Sequence, residues 1–176
     1  MKILAIDPGT VQSALVLYDD ETHKIEFSEI IGNDAVLQTL RVHNADVLVI
    51  EMFKSYGMSV GDSVLQTCVW IGRFLERWTT QSLERVPSEL IYRKTVVSEL
   101  CGTATANDSN IRNAVIDYFS AFEPQGILGA GVSYDRSKKR KPASLRDISK
   151  DLWSAVAIAI ACSDMRKRKC KMALKS

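Results

Sequence analysis

A chain of 176 residues, 46% hydrophobic and 25% charged, suits one compact domain with a full core and excludes a disordered polypeptide. Its formal net charge of +2 hides a division: residues 136–176 carry 13 basic and three acidic side chains, a net +10, while residues 1–135 stand at −8. Such asymmetry points to a polyanionic partner, either nucleic acid or an anionic membrane.

The apolar run Lys2 to Ile6 is followed by Asp7-Pro8-Gly9-Thr10, a turn signal. Ser13 to Tyr18 and Lys24 to Ser28 are two further β-type runs, with Asp19, Asp20 and Glu21 marking the turn between them. Together they predict an antiparallel meander. Asn33 is placed to N-cap a helix to about His43. Asp46 to Glu51 has a continuous apolar centre, as expected of a strand buried on both faces of a parallel sheet. After a loop over 52–61, apolar residues at three- and four-residue spacing predict a long helix from Asp62 to Thr80. Leu83 to Val86 reads as a short strand, and Pro87-Ser88-Glu89 as the start of a helix ending at Cys101-Gly102. Asp108 or Ser109 caps another helix through Phe119. Residues 123–149, rich in Gly, Ser, Pro and charge, read as a mobile basic loop. The last helix runs from Asp151 to about Met165, with a basic tail over 166–176. The order βββ-α-β-α-β-α-α-loop-α predicts an α/β chain whose mixed sheet carries helices on both faces, in a single domain over 1–165.

The longest apolar run, Ala155 to Cys162, is far too short to span a membrane, and the start of the chain has no signal-peptide pattern. The four cysteines show no CxxC spacing, and Cys68 and Cys162 read as buried free thiols. The expectation is a cytoplasmic chain without structural zinc. His23 and His43 read as solvated surface residues.

Three acids stand where regular elements meet loops. Asp7 ends the first strand, Glu51 ends the buried fourth strand, and Asp151 opens the last helix. If the first and fourth strands are parallel neighbours, Asp7 and Glu51 come close together and repel unless a cation lies between them. Hard oxygen donors suit Mg²⁺ or Mn²⁺. Each acid also has a plain reading: Asp7 as a turn former, Asp151 as a helix-start acid. Glu51 is harder to dismiss, because a carboxylate behind Val47-Leu48-Val49-Ile50 risks desolvation.

The segments Ile3-Leu4-Ala5-Ile6-Asp7-Pro8-Gly9-Thr10, Val47-Leu48-Val49-Ile50-Glu51 and Asp151-Leu152-Trp153-Ser154-Ala155-Val156-Ala157-Ile158-Ala159 resemble, in order and spacing, the acidic motifs of RuvC-type Holliday junction resolvases. Arg85-Val86-Pro87-Ser88 and the stretch from Cys101-Gly102 to Asn110-Ile111-Arg112-Asn113-Ala114 resemble phage and prophage members in particular. The resemblance implies an RNase H-like five-stranded fold, a homodimer, and Mg²⁺-dependent endonuclease cleavage of branched DNA. Mn²⁺ is expected to substitute, with two ions per site clamping the scissile phosphate. By the same resemblance Asp7, Glu51 and Asp151 are the catalytic metal ligands. The family pattern has a fourth acid where Ser154 stands; Asp147 would substitute if the last helix started early. Arg112 is the best match for a basic residue of the family.

Arg136, Lys138, Lys139, Arg140 and Lys141 are placed to lie along phosphates, or else form a solvated loop. Lys54 and Tyr56 follow Glu51 closely. Tyr56 and Phe53 have the rings to stack on bases, although Phe53 fits a core position equally well. Arg93 and Lys94 fit the same cleft. Trp70, Phe74 and Trp78 either meet a second subunit or fill the core. The expected partners are four-way DNA and a second copy of the chain, with no membrane and no small-molecule cofactor. Three alternatives differ in function: a fork or flap nuclease, a branched-DNA-binding protein that has lost catalysis, and an actin-like kinase. The last needs two such domains and does not fit the length.

Overall fold

The computed structural model describes residues 1–42, 44–55, 57, 59–81, 86–122 and 142–173. One five-stranded sheet has the order β3-β2-β1-β4-β5. β1 (Lys2–Asp7), β2 (Gln12–Asp19) and β3 (Lys24–Gly32) form the expected antiparallel meander. β4 (Val47–Met52) lies parallel to β1, and β5 (Ser88–Tyr92) parallel to β4. The helices are α1 (Asn33–Thr39), α2 (Asp62–Gln81), α3 (Arg93–Cys101), α4 (Asp108–Phe122) and α5 (Leu152–Ala173).

Alternation along the central strands divides the core in two. Ile3, Ala5, Val47 and Val49 face α3, α4 and α5. Leu4, Ile6, Leu48 and Ile50 face α1 and α2, where they meet Val36, Leu40, Phe74 and Trp78. Side chains on a strand alternate with period two, so Asp7 and Glu51 continue the odd-numbered rows and belong to the α5 face. The first half of α5 is apolar all round and almost entirely buried, from Leu152 to Ser163. Its alanines bring it close to the sheet. This packing carries Asp151, the residue before α5, to the same end of the molecule.

Several local expectations are corrected. Ser88–Tyr92 is a strand, not the start of a helix, because it pairs with Leu48–Met52 and buries Ile91. Sheet pairing overrides the local Pro-Ser-Glu signal. Of the strand expected at Leu83–Val86, residues 83–85 lie outside the described residues, and Val86 precedes β5. Gly32, not Asn33, occupies the N-cap of α1, which stops at Thr39; His43 lies outside the described residues. α5 continues to Ala173 instead of yielding to a tail at residue 166. Ion pairs of Arg166 with Glu89 (2.6 Å), Lys167 with Asp20 and Arg168 with Glu99 fasten those turns to β5, the β2–β3 turn and α3.

His23 is not a free surface residue. Its ring stacks on Phe122 at 3.5 Å between centroids and hydrogen-bonds the Tyr18 hydroxyl at 3.0 Å, because the end of α4 docks over the β2–β3 turn. Phe74 and Trp78 are buried in the core, and Trp70 stacks on Phe74 beneath Arg73. The exposed apolar side chains of α2 are Leu65 and Val69. Cys162 is buried and Cys68 half-buried, both free. No helix among the described residues is long and apolar enough to cross a membrane.

Candidate active site

The carboxyl ends of β1 and β4 open into a cleft of about 510 Å³ lined by Asp7, Glu51, Phe53, Lys54, Arg93 and Lys94, among others. In a sheet with parallel crossovers, strand ends are where side chains can face solvent without breaking the ladder. Asp7 is the last residue of β1 and Glu51 the penultimate residue of β4. Both stand just past Ile6 and Ile50, the last pair of the β1–β4 ladder, while Asp7 still pairs with Ala14 of β2 and Glu51 with Ile91 of β5.

The electrostatics of these two acids are unfavourable by themselves. Burial first, then Glu51 and Asp151, push the Asp7 carboxyl up to about 7; Arg93 and a hydrogen bond from the Ser154 hydroxyl oppose the rise. Burial also raises Glu51, with Arg93 as the main opposing influence. Arg93 opens α3 and lies 3.7 Å from Glu51 Oε1, while its other terminal nitrogen pairs with Asp108 at the start of α4. A guanidinium at a helix N-terminus faces the positive end of the dipole, so it needs such carboxylates.

Of the expected site residues, Asp7, Glu51, Arg93, Lys54 and Lys94 share the cleft. Asp151 is exposed and acts on Asp7 through its charge. Ser154, half-buried in the first turn of α5, donates to Asp7. Asp147 is corrected: it sits in an exposed turn after a 3-10 turn at Ala143–Leu145, and α5 begins too late to place it one helical turn before Asp151. Arg112 lies over the Trp153 ring at 4.8 Å, a cation–π contact against the start of α5. Lys54 sits over the Tyr92 ring, 5.5 Å from its centroid. Phe53 is 41% exposed, which decides against a core position. Tyr56, Arg136, Lys138, Lys139, Arg140 and Lys141 lie outside the described residues.

Asp108 is the neighbour of the cleft that the linear pattern does not reveal, since it is joined to it through Arg93. The available signal is an arginine opening a helix with no acid in its own first turn. Among the described residues, no three His, Cys, Asp or Glu side chains stand close enough to hold a metal ion as placed. The donor chemistry still suits a hard dication: oxygen ligands only, two of them half-buried, with Glu51 adding to the rise of Asp7.

No family model matches the chain, and no curated protein matches it in sequence. Solved structures do match in shape. RuvC of Thermus thermophilus superposes with a TM-score of 0.60 at 19% identity, over 95% of this chain and 96% of that one. The same protein in complex with a Holliday junction substrate gives 0.57 at 17%, over 95% and 96%. The yeast mitochondrial Holliday junction resolvase gives 0.56 at 14%, over 92% of this chain and 77% of the other. With its β3-β2-β1-β4-β5 sheet and helices on both faces, the chain has the RNase H-like fold of RuvC.

Proposed function

We propose that this chain is a divalent-metal-dependent endonuclease of branched DNA, with four-way junctions as its substrate, and that it acts as a homodimer. The observation that carries the reading is the pair of half-buried acids, Asp7 and Glu51, at the ends of adjacent parallel strands. Asp7 is held near neutrality by burial and by its acidic neighbours. Such an arrangement costs stability, and a bound dication relieves it. The solved structures of like fold add weight, because one holds a Holliday junction substrate.

Asp7, Glu51 and Asp151 are the residues that would hold Mg²⁺ or Mn²⁺. When bound, the metal supplies an activated water and stabilises charge on the leaving oxygen. Asp7 would hold the ion as a carboxylate, the form that the Ser154 hydroxyl favours by hydrogen-bonding to it. Arg93 presents a planar set of donors at the cleft mouth, suited to a phosphate oxygen. Lys54 and Lys94 add positive charge along the same wall. In this reading Tyr56 and the basic run Arg136 to Lys141 extend the DNA contact.

A second reading has its own support. Ser154 stands where the resemblance expects an acid, and Arg93 already neutralises Glu51. Both fit a branched-DNA-binding protein with weak or absent catalysis. Incubating the protein with a mobile four-way junction, a fork and a linear duplex, with Mg²⁺ or with EDTA, separates the readings. Paired nicks in the junction with Mg²⁺ alone support the resolvase. Binding without nicks supports the second reading, and neither binding nor cleavage defeats both.

A further inference from the structure

The parallel register of β1 with β4 ends at Ile6 opposite Ile50, one residue before the acids. On that side Asp7 has no partner in register, and on the other it is held through Ala14 alone. Beyond Asp7 the chain enters a turn fastened by residues distant in sequence. The Gly9 N–H donates to Ser13 Oγ at 3.3 Å. The Ser13 hydroxyl donates to Asn33 Oδ1 at 2.7 Å, and Asn33 Nδ2 donates to the Gly9 carbonyl at 2.9 Å. These three links close a ring through both backbone polar groups of Gly9. The Asn33 N–H adds a bond to the Val11 carbonyl at 3.0 Å.

Ser13 and Asn33 are each 2% exposed. Buried polar side chains persist only when satisfied, and a closed network of this kind tolerates one geometry. Gly9 is confined by close approach: a Cβ there would stand 2.4 Å from the Gln12 carbonyl oxygen. Asn33 opens α1, yet that helix has no side-chain cap. Its amide serves the turn beside Asp7 instead of its own helix.

We infer that Ser13 and Asn33 are positioning residues that aim the Asp7 carboxylate, acting through the ring on Gly9. The inference rests on Asp7 being a metal ligand and names what orients it. Partners that orient a ligand from behind change metal affinity by about 10- to 100-fold when removed.

The test is a Mn²⁺ titration of the whole chain, with free Mn²⁺ read by electron paramagnetic resonance and folding checked by thermal melts. Ser13→Ala, which removes one oxygen and leaves the backbone intact, and Asn33→Ala are each expected to weaken Mn²⁺ binding by about 10-fold or more. Val36→Ala truncates a fully buried side chain of the same helix without touching the ring, and is expected to keep the affinity of the unaltered chain. Unchanged affinity in Ser13→Ala and Asn33→Ala would overturn the inference. So would an equal loss in Val36→Ala, which would show that general loosening suffices. If the unaltered chain binds no Mn²⁺, the metal reading falls and takes the inference with it.

Discussion

Replacing Asp7 by Asn should make the metal-free protein more stable, by an amount that grows as pH rises from about 4 to 7 and is constant above that. The Asp7 carboxyl is pushed from an ordinary 3.8 up to about 7, mainly by burial and then by Glu51 and Asp151. The folded chain therefore keeps a proton that the unfolded chain releases from about pH 4 upward. Stability contributed by this group is intact below that point and falls as pH rises to 7, where ionisation in the folded state is forced. Each tenfold difference in proton affinity is 1.36 kcal/mol, so the ceiling is about 4 kcal/mol, and relaxation of the cleft brings it to roughly 2–4. Asn keeps the shape and removes the charge. In EDTA at about pH 8.5, Asp7→Asn should melt roughly 5–12 °C above the unaltered protein, since 1 kcal/mol moves a chain of this size by about 2–4 °C. At about pH 3 the two should nearly coincide, the acid then being protonated in both the folded and the unfolded chain. Saturating Mg²⁺ should then stabilise the unaltered chain and not the variant. A variant that melts at or below the unaltered protein at alkaline pH in EDTA would refute the claim that Asp7 is a strained, half-buried acid.

Asp7→Asn, Glu51→Gln and Asp151→Asn should each abolish Mg²⁺-dependent nicking while leaving junction binding in a gel-shift assay; full activity in any one removes that acid from the assignment. Arg93→Ala should tighten Mn²⁺ binding to the DNA-free protein a few-fold, because the guanidinium no longer competes for Glu51; calorimetric titration showing weaker binding would mean that Arg93 supports the site rather than competing for it. Ser154→Asp should preserve cleavage and increase metal affinity, and total loss would show that the hydroxyl bonded to Asp7 is indispensable. Neutralising Arg136, Lys138, Lys139, Arg140 and Lys141 should lower junction affinity and flatten its salt dependence by about 0.9 in log–log slope for each phosphate no longer neutralised, as read by fluorescence anisotropy.

Much of the framework is legible in the chain itself. The apolar runs Lys2 to Ile6 and Val47 to Ile50 read as strands, the second as one covered on both faces, and an acid follows each. Odd-even parity even assigns Asp7 and Glu51 to one face of the sheet once both strands are aligned. Local signals fail where long-range contacts outweigh them. Ser88–Tyr92 has no strong strand preference and becomes a strand because the edge of β4 needs a partner. His23 looks solvated until α4 places Tyr118 and Phe122 over it, from about 100 residues away. The basic run at 166–171 looks like a tail until Glu89, Asp20 and Glu99 pair with it and hold it in helix.

The sequence alone determines the element order, the two acids at strand ends and the division of charge, because these arise from side-chain chemistry and period. Tertiary structure decides what surrounds the acids. The Arg93 pairing with Glu51 and Asp108, the Ser154 hydroxyl on Asp7 and the Ser13–Asn33 ring all join residues far apart in the chain. Each is a short-range polar contact, and no spacing rule along a polypeptide encodes which remote groups will arrive within about 4 Å of one another.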